Sequence, residues 1–378
     1  MEVIFPPTMA NANDFPELII KATPKIQLNA LRLTTSINKN PHYLLTRNGR
    51  GAMGLAGQKL QYKDRKNIVL IPAYHCPALV EPFICLNYEV RFYPLLPDLT
   101  VDLEAFKRLL EDDVTHCVAI RYFGFNQNIQ QLIETAQQKN VLVIEDCAHA
   151  LFDFFDIGSR DSSQSDAKIC SINKLLPSID GGVLYYQGDH VPPLRYRTWM
   201  EEFKGILYLT GLTLLINSLR KKLKRPNDSN DNVEMLKSHA DSSPKLRYFS
   251  HEDLTSGGYR HTGFVLRHSN FSNIIQKRRD NFAYIVQRLS NTSVGVPLYT
   301  HAGNSVPYVV PFLLSNESYF ANLRKKGIQV LRWEEVALSD CEVSQDYRKR
   351  LIQLPCHQQL LRSELDTIIQ AITSLEHH

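Results

Sequence analysis

What the chain lacks already narrows its function. Its seven cysteines, at positions 76, 85, 117, 147, 170, 341 and 356, include no C-x-x-C pair. That spacing encodes neither a zinc site nor a dithiol redox centre, and buried reduced thiols are expected instead. No apolar run reaches the roughly 18 residues that a membrane-spanning helix needs. The opening stretch MEVIFPPTMANANDFPE has no basic segment followed by an apolar one, so a cytoplasmic rather than a secreted protein is expected. An excess of charge of one sign is also absent. With 43 basic and 39 acidic residues the formal net charge is +4, too mild to call for nucleic acid as a partner. Internal repeats are absent. The 378 residues are enough for two domains with a large apolar core.

The stretch from Val141 to Gly182 carries the most chemistry. It reads VLVIEDCAHALFDFF, a polar spacer, and then SDAKICSINKLLPSIDGG. Val141 to Ile144 is a short β-branched run that stops at Glu145-Asp146, the pattern of a buried parallel strand delivering a carboxylate at its carboxyl end. Ala167 to Ile172 is a second such run and ends at Asn173-Lys174. Ligands usually sit at that edge of an α/β sheet. Pyridoxal phosphate (PLP) chemistry uses both groups: a lysine amine forms a Schiff base with the cofactor, and a buried aspartate pairs with the pyridinium nitrogen. On these two residues alone, a helix-capping aspartate and a solvated lysine remain the alternative.

The longer motif resembles the DegT/StrS-type sugar aminotransferases. Their pattern is an E-D-x-A-[QH] strand end, a G-D-A strand, a Ser, a Lys and a Gly-Gly pair that follows the Lys by seven positions. EDCAHAL and SDAKICSINKLLPSIDGG are similar to it, and Lys174 to Gly181 keeps the spacing of seven. The S-I-N-K segment is two residues shorter than a common family form. The resemblance implies an α/β, fold-type I PLP-transferase. A large domain with a mostly parallel sheet covered by helices is expected over residues 1–250, and a smaller C-terminal α/β domain over 251–378. It also implies Lys174 and Asp146 as catalytic residues, with His149 and Ser171 contacting the cofactor.

Other parts of the chain extend the likeness or depart from it. Arg47-Asn48-Gly49-Arg50-Gly51-Ala52 places two glycines at what reads as a helix start, where backbone amides can cradle a phosphate. The family has S-G-T-x-A at this place, so Gly49, Arg50 and Gly51 are implied as cofactor-binding, with Arg50 at the Thr position. In Pro72-Ala73-Tyr74-His75-Cys76-Pro77, register puts Cys76 where the family has a ring that stacks on the cofactor. Tyr74 or His75 is the candidate substitute, with plain packing as the alternative. At Ser256-Gly257-Gly258-Tyr259-Arg260, Gly258 stands where the family has an Asn that reaches the neighbouring subunit's phosphate. IIQKRRDNFAYIVQRL, within Ile274 to Leu289, is amphipathic and similar to the family's R-x-x-[NA]-x-x-Y helix. Short strands are further read at Ile68 to Ile71, Asn87 to Tyr93, Val118 to Tyr122, Pro307 to Leu314 and Ile328 to Leu331. The first three alternate with helices, as in a mostly parallel sheet.

Residues 194–245 read as an insertion. ILYLTGLTLLINSL, Ile206 to Leu219, is apolar around most of a helix and precedes Arg220, Lys221, Lys222, Lys224 and Arg225. Either packing or a weak membrane-surface contact through 206–225 would use it. Taken together, the resemblance implies a PLP-dependent aminotransferase that moves an amino group from an amino acid, by likeness glutamate, to a keto sugar on a nucleotide carrier. A homodimer is implied as well, and no metal. Two alternatives stay open: a catalytically silent PLP-fold binding or regulatory protein, and a PLP enzyme acting on a lipid- or polymer-linked acceptor.

Overall fold

The runs IVLIP, HCVAI, LVIEDC and AKICS are largely apolar and buried at almost every position, and the fold uses them as inner strands covered on both sides. The structure is a computed structural model that describes residues 3–9, 20–25, 31–32, 35, 42–156, 164–188, 193–209 and 246–376. Seven strands form the larger sheet: β1 (Tyr43–Thr46), β2 (Ile68–Pro72), β3 (Glu89–Tyr93), β4 (His116–Ile120), β5 (Leu142–Cys147), β6 (Ala167–Ser171) and β7 (Gly182–Tyr186). Their order is β1-β7-β6-β5-β4-β2-β3. The pairs from β3 through β6 are parallel, and β7 and β1 close the edge antiparallel.

Helices α1 (Gly49–Leu60), α2 (Pro77–Cys85), α3 (Leu103–Leu109), α4 (Ile129–Gln137), α5 (Leu151–Phe154) and α6 (Ile172–Leu175) connect these strands. On α4, Ile129, Leu132, Ile133 and Ala136 face the sheet, the spacing of a helix with one apolar stripe. Helix α7 (Trp199–Leu209) covers the described start of the expected insertion; residues 210–245, and with them most of the 206–225 stretch, lie outside the described residues. The chain continues through α8 (Arg260–His268) and the long α9 (Phe271–Leu289). A second, antiparallel sheet follows, ordered β10-β11-β9-β8 from β8 (Gly295–Pro297), β9 (Val309–Leu314), β10 (Leu331–Arg332) and β11 (Leu351–Pro355). Helices α10 (Tyr319–Lys325), α11 (Glu342–Arg350) and α12 (Arg362–Thr373) complete it.

Two local expectations shift. The segment read as a strand from Ile328 is a strand only at Leu331–Arg332, and Ile328 instead makes a single bridge to Ile20. Lys174 does not end β6: the strand stops at Ser171 and the lysine sits on the one-turn α6.

The arginine of the α9 motif ties the large sheet's α6 to the small sheet, and its asparagine and tyrosine anchor α9 to the C-terminal elements. Arg278 is fully buried and donates to the carbonyls of Leu175 (3.3 Å), Pro307 (3.2 Å) and Tyr308 (2.9 Å). Asn281 donates to the His357 carbonyl (2.9 Å), and the Tyr284 hydroxyl donates to Asp366. A buried guanidinium costs free energy unless its hydrogens are used, so each of those carbonyls matters. Arg278→Met removes three of the hydrogen bonds to these carbonyls, although Gln358 Nε2 still donates to that of Leu175 (3.1 Å), and should lower stability by about 2–4 kcal/mol. A shift of the urea midpoint at unchanged slope would report that loss; a midpoint equal to the parent's would contradict the structural role.

Candidate active site

Alternation along β5 sends Glu145 and Asp146 to opposite faces of the sheet. Glu145 enters a buried ion cluster, 2.5 Å from Arg121 Nε and 3.6 Å from Lys168 Nζ. Asp146, at the carboxyl end, accepts a hydrogen bond from the Ala148 amide through Oδ1 (2.7 Å) and is buried. It lines one cavity together with Lys174, His149, Ala148, Cys76 and Trp333. Burial raises the Asp146 carboxyl above the ordinary range, and the nearby Lys174 charge acts in the opposite direction.

His149 follows in the turn after β5. Its Nδ1 accepts from the Phe123 amide (3.2 Å), and its ring is stacked between Phe123 at 5.5 Å and Tyr308 at 4.6 Å. Burial first, and Lys174 second, push its pKa well below the usual value. The ring is therefore neutral, and with Nδ1 accepting, Nε2 carries the proton and is a donor.

The glycine-rich turn forms the start of α1, as its sequence suggests. Asn48 caps the helix by accepting from the Gly51 amide (2.8 Å). Gly51 is thus spent on the cap. The amides of Gly49 and Arg50 donate to no protein acceptor among the described residues, leaving two donors at the positive end of the helix dipole. Ser171 lies beside them: a Cβ on Gly49 would come 3.2 Å from the Ser171 Cβ. The Ser171 hydroxyl donates to Asn173 Oδ1 (2.8 Å). Arg50 Nε is 3.9 Å from Asp253 Oδ2, so its charge is shared with a buried carboxylate rather than standing alone.

Glycine is required at two neighbouring points. A Cβ on Gly182 would collide with the Asn48 carbonyl, and one on Gly258 would meet the Thr46 carbonyl at 2.7 Å. Gly258 is thus a close-packing glycine at this place, with no room for the asparagine side chain of the family pattern.

Tyr74 and His75 do not line the cavity. The Tyr74 ring is fully buried against Trp333, Tyr122 and Tyr347. His75 stacks on Phe92 at 4.8 Å and its Nδ1 bonds the Pro72 carbonyl (2.9 Å). Both serve packing, the alternative reading of that turn. Cys76, in family register, does reach the cavity. Trp333, from the small sheet, was not singled out by any motif; a tryptophan just after a short apolar run carries no signal of its own.

The donor set fits PLP in kind. An amine and a buried carboxylate share one cavity, a neutral imidazole adjoins them, and two free helix amides stand next to a serine. Among the described residues, no cluster of His, Cys, Asp or Glu could hold a metal ion, and no helix is long and apolar enough to cross a membrane.

The fold is that of the fold-type I PLP-dependent enzymes, and the donor set at the cavity is of a kind that suits this cofactor. Residues 32–189, which hold the whole seven-stranded sheet with Asp146 and Lys174, match the model of the DegT/DnrJ/EryC1/StrS aminotransferase family. The chain is similar to that family over this segment. Comparison with curated proteins gives no match. Among solved structures, the sugar aminotransferase CalS13 from Micromonospora echinospora is 16% identical, with 89% of this chain and 88% of that chain covered at a TM-score of 0.59. PseC from Helicobacter pylori, an aminotransferase involved in the biosynthesis of pseudoaminic acid, is 13% identical over 91% and 88% of the two chains, with a TM-score of 0.60. TlmJ, an aminotransferase from Streptoalloteichus hindustanus, is 15% identical over 88% and 85%, with a TM-score of 0.61. At these identities the likeness establishes the fold.

Asp180, beside the glycine pair, gives a test by pH. Burial raises its pKa from 3.8 to about 6, opposed by Arg197 and by hydrogen bonds from the Tyr259 amide and Thr262. Because the folded-state value lies above the unfolded one, the protonated form stabilises the fold below about pH 4, and that contribution is lost as pH rises through about 6. Asp180→Asn should therefore raise the melting temperature at pH 7 and leave it nearly unchanged at pH 4. An equal shift at both pH values would refute the assignment.

Proposed function

We propose that this chain is an aminotransferase that takes an amino group from an amino acid, glutamate by family likeness, and delivers it to a keto sugar on a nucleotide carrier. The observation that carries the reading is the meeting of Lys174 and Asp146 in one cavity at the carboxyl edge of β5 and β6, inside the family-matched segment. The overall exchange converts an amino acid and a keto sugar into a keto acid and an amino sugar, with no net oxidation.

PLP, when bound, supplies the electron sink that lets the amino acid's α-carbon lose a proton. Lys174 Nζ anchors the group and, once displaced by substrate, carries that proton as general base and then general acid. Asp146 supplies a buried negative charge, which favours the protonated form of a ring nitrogen beside it. His149 offers its Nε2 proton as a hydrogen-bond donor. The Gly49 and Arg50 amides, with Ser171 beside them, suit an anionic phosphate. The short Ile172–Leu175 helix keeps the lysine next to the carboxylate, and Arg278 fixes that helix by its bond to the Leu175 carbonyl.

Further parts of the reading rest on resemblance. They are a homodimer and a division into residues 1–250 and 251–378, while a cytoplasmic setting is proposed from the cysteine pattern. Lys174 and Asp146 are assigned as the catalytic pair, with Gly49, Arg50, Ser171 and His149 toward the cofactor.

Purified protein with added PLP should show a visible absorbance band that Lys174→Ala abolishes, and the band should bleach when glutamate is added. Amino-group transfer should fall by at least about 10²-fold in Lys174→Ala, and by about 10²–10³-fold in Asp146→Asn, which removes the charge and keeps the shape. An unchanged band in Lys174→Ala would remove the lysine from its role. A band that forms but ignores every amino acid offered would leave a PLP-binding protein without transaminase activity.

A further inference from the structure

The turn that carries Cys76 brings no aromatic ring to the reactive cavity, because Tyr74 and His75 are both committed to the core. The same cavity is lined by Trp333, which immediately follows β10 of the small sheet. Its ring lies 5.0 Å from Tyr74, 5.6 Å from His149 and 5.9 Å from Phe123. The backbone on either side is held firmly. Arg332 pairs with Glu334 at 2.5 Å and lies over the Phe320 ring, and the Glu334 carbonyl accepts from Arg348 Nε (3.1 Å).

The space enclosed with Lys174 and Asp146 is about 20 Å³, room for a single water and too little for a six-membered ring. One wall must therefore yield when a ring enters. Leu79, Ile120 and His149 are buried in the large-sheet frame. Trp333 is half-buried and also borders a second pocket of about 400 Å³ on its far side. It is the large wall residue with space to move into.

The geometry points to Trp333 as the aromatic residue that packs on the cofactor ring, in place of the ring that position 76 lacks. It closes the cavity as described and shifts toward the outer pocket to lie against PLP. The inference rests on the PLP reading of the site. Apolar ring surface against ring surface is favourable and geometrically selective, so the small sheet contributes directly to cofactor affinity. Cys76 and Trp333 border both pockets, which makes this pair the boundary between the reactive lysine and the outer pocket.

The chain has two tryptophans, and Trp199, 80% exposed on α7, is removed by Trp199→Phe. Full-length Trp199→Phe protein, freed of cofactor, is titrated with PLP while absorbance and tryptophan emission are read together. Emission from Trp333 should be quenched with the same dissociation constant as the growth of the Lys174-dependent band. In the same background, Trp333→Ala should weaken PLP binding about three- to tenfold, and Trp333→Phe should restore most of it. Adding Cys76→Phe to Trp333→Ala should also restore affinity, which a role confined to holding the small sheet would not allow. A band without any change in emission overturns the proposal and leaves the PLP reading intact, as does unaltered affinity in Trp333→Ala or a loss that phenylalanine at neither position repairs. Should Trp333→Ala fail to fold, the emission titration still decides. No band in the parent protein overturns both readings.

Discussion

A carboxylate taken out of water must find compensation, and the surroundings of Asp146 are arranged around that cost. β5 ends there, the chain turns at once so that the Ala148 amide faces Oδ1, and the only cation placed in the same cavity is Lys174 among the described residues. Lys174 can stand there because β6 stops one residue before a single helical turn, and because that turn is clamped from behind by Arg278. Burial disfavours the charge on Asp146 and on His149, and each responds to the same ammonium group. A cationic ring nitrogen beside Asp146 would relieve what the protein alone leaves strained, which is a physical reason for such a site to select its cofactor.

The parts of this arrangement that sequence reveals are those set by local pattern. A β-branched run ending in an acid, a second run before a lysine, and a glycine turn opening a helix depend on neighbours within a few residues, and β5, β6 and α1 appear where those patterns lie. The parts that were obscure are those set by tertiary neighbours. Nothing local distinguishes Tyr74 and His75 as core residues from Cys76 as a cavity residue; Trp333, Tyr347 and Phe92 decide it, and two of these lie far along the chain. Gly258 likewise reads as a lost asparagine until the Thr46 carbonyl is seen against it. The α9 pattern was visible as a motif, yet its purpose is legible only from the carbonyls of Leu175 and Pro307 that converge on one guanidinium.

The departures from the family pattern fall on the rim of the site and are of one kind. Each puts a demand of this fold in place of a side chain that would reach outward. Gly258 admits a backbone crossing, Arg50 meets Asp253, and Cys76 shares its cavity with a ring that follows a strand of the other sheet. An amine and a carboxylate that act together must meet at a fixed edge, whereas a phosphate or an aromatic face can be met from several directions. Contacts on the rim can therefore migrate between elements as sequence diverges. Once a cofactor-facing ring is drawn from the small sheet, however, the relative placement of the two sheets becomes part of the binding site. The Arg278 clamp and the stacking of His149 on Tyr308 then act on cofactor geometry as well as on stability, and a change that loosens either should be felt at Lys174 before the fold itself gives way.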